Sequence, residues 1–182
     1  MEEQAQAIVD FWYSERVRPL WFNSTAEFDE ELRQHYGQLY RDASQGVLRA
    51  WEQTATGSLA LAIILDQFPL NMFRGQPESF ATEAEAVRIA RQAVAQGFDN
   101  QIEPEYRVFL YMPFMHSENL VDQDLVVQLF DEAGLANNAG FARHHREIVR
   151  RFGRFPHRNA ILGRKSTPQE LDYLASDEAF HG

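Results

Sequence analysis

Apolar residues recur along this chain at three- and four-residue spacing, and most such stripes are bracketed by residues that start or stop a helix. Ile8, Phe11 and Trp12 predict a short first helix. Ser24-Thr-Ala-Glu27 reads as a capping box, opening a helix striped by Phe28, Leu32, Tyr36, Leu39 and Ala43 with Gly46 as its stop. Ser58 to Phe68 is apolar on every side, the pattern of a fully buried helix, and Pro69 is expected to end or kink it. A second capping box, Thr82-Glu-Ala-Glu85, precedes the stripe Val87, Ala90 and Val94. Pro104 suits the first position of a helix carrying Tyr106, Phe109 and Leu110. Asn119 to Ala133 reads as helix and stops at Gly134. Phe141, His145, Ile148 and Phe152 form one stripe ending at Gly153, and Thr167-Pro-Gln-Glu170 caps a last helix with Leu171 and Leu174. About eight helices, no convincing strand and no linker predict an all-α single domain over residues 1–182.

Composition narrows this picture. A chain of 182 residues, 45% hydrophobic, can build a core without staples. It has no cysteine, so disulfides and thiolate metal sites are excluded, and a reducing cytoplasm is the expected setting. The acidic start MEEQAQAIVDFWY lacks a basic region followed by an apolar run, so no signal peptide is expected, nor any membrane span. The formal net charge of −10 repels nucleic acid and anionic lipid, and neither is an expected partner. Charge is unevenly placed: Phe141 to Lys165 holds eight Lys and Arg against one Glu. Nothing in the pattern fixes an oligomeric state.

Several polar residues stand out against this background. Asp66 lies inside the most apolar helix, where a carboxylate costs several kcal/mol unless it is paired, so an Arg or His partner is expected. His145 falls on an apolar stripe and should point inward, while His144 is rotated about 100° away. In Met115-His116-Ser117-Glu118, Ser117 or Asn119 would cap the next helix and Glu118 would favour its start, which leaves His116 unexplained. Asn71 and Arg74 flank the turn after Pro69. Arg154, His157, Arg158 and Asn159 place four donors around Phe155-Pro156, suited to a carboxylate or phosphate, or equally to buried carboxylates of the chain itself. Phosphate-loop, dinucleotide and His-Glu-x-x-His motifs are absent, and no His/carboxylate spacing is diagnostic, so no metal or cofactor is assigned.

The runs LALAIILDQFPLNMFRG (59–75), FLYMPFMHSENLVDQ (109–123) and HREIVRRFGRFPHRNAILGR (145–164) resemble domain-of-unknown-function family 924, as does the entry Ile8 to Trp12 with Trp21-Phe22 and Phe28-Asp29. The resemblance implies an all-helical, tetratricopeptide-repeat-like right-handed array. It brings no activity with it. Leu70 replaces the arginine of the family's usual D-Q-F-P-R-N, and Thr54 to Gly57 lacks another arginine often found there.

Three functional readings follow. A binding module would hold a small anionic molecule or a peptide end in a groove lined by Asp66, Gln67, Asn71, His116, His145, Arg158 and Asn159, with Arg158, His157 and Arg74 gripping the charge. A hydrolase or lyase would use His116 or His145 as base, Asp66 as its orienter and Arg158 as clamp. A purely structural network would tie the last quarter of the chain to the apolar helix.

Overall fold

The apolar stripes close into helices largely where the sequence places its caps. The computed structural model describes residues 2–182. Its helices are α1 (Glu2–Trp12), α2 (Ala26–Ser44), α3 (Ala55–Ala62), α4 (Phe68–Met72), α5 (Glu83–Ala95), α6 (Pro104–His116), α7 (Leu120–Glu132), α8 (Ala136–Phe152) and α9 (Pro168–Leu174). A π-helical segment, Ile63–Gln67, joins α3 to α4 without a break, so the described residues form eight helical rods and no strand. The protein is all-α and forms a single compact domain.

The rod made by α3, the π segment and α4 is the axis of the molecule. Ala60, Ala62, Ile63, Ile64 and Phe68 on it are fully buried, as its unbroken apolar pattern requires. Helices α1, α5 and α6 pack against α3, and α2 against α4. Trp12 of α1 lies between Phe68 and Phe109, with ring centroids 5.6 and 5.5 Å away. At the start of α3 the backbone approach is so close that a Cβ on Gly57 would stand 2.1 Å from the carbonyl oxygen of Trp51, which only glycine tolerates.

Pro69 neither ends nor breaks this rod. A proline within a helix removes its own N–H and crowds the carbonyl four residues back, here that of Leu65. The chain widens just upstream: Phe68 N–H donates to the carbonyl of Ile63, five residues back, which is the π turn. The carbonyl of Leu65 accepts instead from the Thr82 hydroxyl at 2.6 Å. Thr82 therefore does not close the expected capping box, and its side chain makes no bond to the start of α5. The first capping box is shifted too. Thr25 is the N-cap of α2, accepting from Phe28 N–H, while Ser24 turns to Asp29. The third is formed as read, by Thr167 and Glu170.

Most of the core is one cluster, running from Ala5 to Ala142. A smaller one gathers Ile148, Val149, Phe155 and Tyr173, with Phe152 and Phe180 beside it. Phe141, expected on the buried stripe of α8, is 64% exposed, and Ala139 and Ala142 hold the buried face ahead of His145 instead. A belt of hydrogen-bonded polar side chains, Glu118, Arg154, Asn159, Arg164 and Glu170, runs beside the smaller cluster.

Candidate functional site

The π turn carries the site. By widening the helix ahead of Pro69, it presents Asp66 and Gln67 toward the end of α6, and such turns recur at functional positions. His116 is the last residue of α6. Its Nδ1 lies 2.9 Å from both carboxylate oxygens of Asp66. A carboxylate only accepts, so Nδ1 carries a proton, and Nε2 hydrogen-bonds to no described residue. Gln67 Nε2 donates a second bond to Asp66 Oδ2 at 2.6 Å. The Asp66 side chain is 3% exposed and that of His116 19%, so the carboxylate is sealed while the imidazole reaches the surface.

Arg158 enters the same region from the 3-10 turn after α8. Its Nη1 donates to Glu83 Oε2 at 2.7 Å and its Nη2 to the backbone carbonyl of His116 at 2.8 Å. Glu83 is the residue that sequence reasoning missed. It opens α5, where a glutamate reads as an ordinary first-turn acid. Burial pushes its carboxyl above the usual range against the pull of Arg158 and His116, and the charge of Asp66 adds to the push. Of the basic segment, Arg158 therefore meets Glu83 and makes no bond to Asp66.

The remaining candidates fall into three groups. His145 is buried beside the site. Its Nδ1 donates to the carbonyl of Phe141 at 2.9 Å, and burial, with the nearby Arg158 guanidinium, pushes it down to about 4. His157 lies close by, pushed down to about 3 by burial and by Arg158. The Phe180 ring covers both, 4.6 Å from His145 and 5.0 Å from His157. Both imidazoles are thus held neutral under aromatic cover.

Asn71 and Arg74 lie elsewhere, on Asp29. Arg74 Nε and Nη2 donate to its two oxygens at 2.7 and 3.1 Å, and Asn71 Nδ2 and Ser24 Oγ each donate at 2.8 Å. Asn159 belongs to the polar belt. It accepts from Arg164 at 2.9 Å and donates to Ser166 and Glu170. Arg154 pairs with Glu170, whose carboxyl is drawn down to about 2 by that guanidinium, by Thr167 N–H and by Asn159 against the opposing effect of burial. Arg164 forks onto Glu118, which also accepts from Phe155 N–H at 2.7 Å. Glu118 thus anchors the loop and does not serve the start of α7, which Asn119 caps.

Ser117 is not poised as a nucleophile. Its hydroxyl donates to Asp122 at 2.7 Å, away from the imidazole beside it in sequence. Asp122 is also paired with Arg91. Among the described residues no group of three or more His, Asp or Glu is arranged to hold a metal ion. Two concavities, about 390 Å³ along α1 and about 280 Å³ between α8 and the C-terminal segment, do not touch Asp66 or His116. Among the described residues no helix is long and apolar enough to cross a membrane.

The molecule is thus an all-helical protein with a buried carboxylate wired to a surface-edge histidine at a π turn. It belongs to the bacterial proteins of unknown function grouped as DUF924, whose family pattern matches residues 8–178. It is similar in structure to ATU0120, a protein of unknown function from Agrobacterium tumefaciens. The two are 39% identical, the match covers 95% of this chain and 97% of that one, and the TM-score is 0.89. No curated protein matches.

Proposed function

We propose that Asp66 and His116 form an acid–base centre acting on a small polar molecule in a hydrolase or lyase reaction. One observation carries this reading: a sealed carboxylate holds Nδ1–H while Nε2 stands free at the surface edge of the site. In that arrangement Nε2 takes a proton from water or substrate, Asp66 stabilises the imidazolium, and the proton is later returned to the leaving group. The geometry lends less support to an anion clamp. Arg158 has both terminal nitrogens committed to Glu83 and His116, Arg74 is committed to Asp29, and His157 is held neutral. The proposal therefore keeps a small-molecule ligand and drops those three as its grip. It also keeps the cytoplasmic setting, which the cysteine-free chain fits, and the tetratricopeptide-like array of the family resemblance.

A second reading treats the cluster as a structural knot. It is favoured by the internal pairing of Arg158, Glu83 and Asp66 and by concavities that lie elsewhere. A panel of hydrolase and lyase substrates separates the two. Turnover is expected in the parent protein and in Arg74→Ala, is lost in His116→Ala and falls about 10²- to 10⁴-fold in Asp66→Asn. Turnover that survives His116→Ala would overturn the acid–base reading.

A further inference from the structure

Glu83 and Arg158 take no proton in this scheme, yet they occupy the buried ground behind His116. The Arg158 guanidinium carbon lies 4.4 Å from the Phe80 ring centroid and 4.8 Å from that of Phe155, so its plane is fixed by two aromatic faces. One terminal nitrogen holds Glu83 at the start of α5 and the other holds the carbonyl of His116 at the end of α6. That carbonyl is in the last turn of its helix, where no further helical N–H is available to it. His116 is therefore held at two points: its ring by Asp66 and its backbone by Arg158.

We infer that Glu83 and Arg158 are a positioning pair: the Glu83 carboxylate orients the Arg158 fork, and the fork fixes the α6 terminus so that the His116 ring meets Asp66. The inference rests on the acid–base reading of that dyad. Lysine cannot replace the arginine, because a single ammonium does not present two donors in the plane set by Phe80 and Phe155. Glutamine at position 83 keeps an acceptor for the fork, whereas alanine removes it.

The test follows the Nδ1 proton of His116 by NMR, through its low-field resonance and its exchange with water, beside the melting temperature and the amide spectrum. Asp66→Asn is expected to abolish the resonance. Arg158→Lys and Glu83→Ala are expected to keep the fold while exchange becomes about tenfold faster, since the ring loses its fixed approach to the carboxylate. Glu83→Gln is expected to recover most of the protection lost in Glu83→Ala. A lower melting temperature with unchanged resonance and exchange in Arg158→Lys and Glu83→Ala would show that the pair only stabilises the fold, and would overturn the inference. A parent protein with no such resonance would instead sink the dyad, and the positioning role with it.

Discussion

Two buried aspartates, Asp29 and Asp66, are each held by several side chains, and only Asp66 is held by a group able to change its own charge. Asp29 is filled by four donors from Ser24, Asn71 and Arg74, and its cation is permanent. Burial raises its carboxyl, but Arg74, Asn71 and Ser24 outweigh that and hold it below the usual range. Asp66 is held by an imidazole and an amide, and the imidazole keeps a second nitrogen free. Burial and pairing are common to both sites. What separates them is a partner that can change its own charge, and that is the feature by which a reactive carboxylate differs from a structural one.

Acid should divide the two regions most strongly. His145 at about 4 and His157 at about 3 lie below the ordinary histidine value of about 6.5. The unfolded chain therefore takes up these protons first. Their contribution is complete above about pH 6.5 and is lost as pH falls toward 4 and then 3, on the order of 3 kcal/mol for His145 and somewhat more for His157. The Asp29 cluster responds later, because its lowered carboxyl protonates only below the usual carboxylate range. Urea unfolding at pH 7, 5.5 and 4.5 should show this loss, and His145→Gln should flatten it. Hydrogen exchange should find the Asp66 end loosening first. A midpoint unchanged from pH 7 to 4.5 would mean the two histidines are not held neutral.

Arg74→Ala is the next largest effect. It leaves a carboxylate only 7% exposed without its cation, but Arg74 itself is 58% exposed, so the loss is expected near about 2 kcal/mol and not the 3–5 of a sealed pair. Chemistry at His116 should be untouched, and a variant that damages it would erase the contrast between the sites. Thr82→Val is smaller still, about 1 kcal/mol by chemical denaturation, through the Leu65 carbonyl that its hydroxyl satisfies beside the π turn. An unchanged midpoint would show that this carbonyl finds another donor.

The helices were legible because their stripes and caps are local signals, and so was the anomaly of a carboxylate in an all-apolar run. The class of its partner, Arg or His, was legible too. Which histidine it would be was not, since His116 meets Asp66 only when α6 packs against the rod. Glu83 carries no local mark that distinguishes a buried first-turn acid from an exposed one, so nothing in the sequence singles it out as the partner of Arg158. Asn71, five residues after Asp66, stands about 140° from it around an ideal helix, and the two side chains face different partners. The π turn was hidden for a different reason. Pro69 signals a disturbed helix, but whether the chain breaks or widens depends on Thr82, which is brought to the Leu65 carbonyl only by the tertiary fold.

The central claim is that Asp66 makes His116 a free, oriented base while Asp29 does structural duty alone. Acylation of imidazole nitrogen by diethyl pyrocarbonate, read by mass spectrometry at each histidine in the parent, Asp66→Asn and Asp29→Asn proteins, tests it without a substrate. His116 is expected to react faster than His145 and His157, to slow about tenfold in Asp66→Asn and to keep its rate in Asp29→Asn. A His116 no faster than those two, or equally fast without the Asp66 carboxylate, would contradict the account.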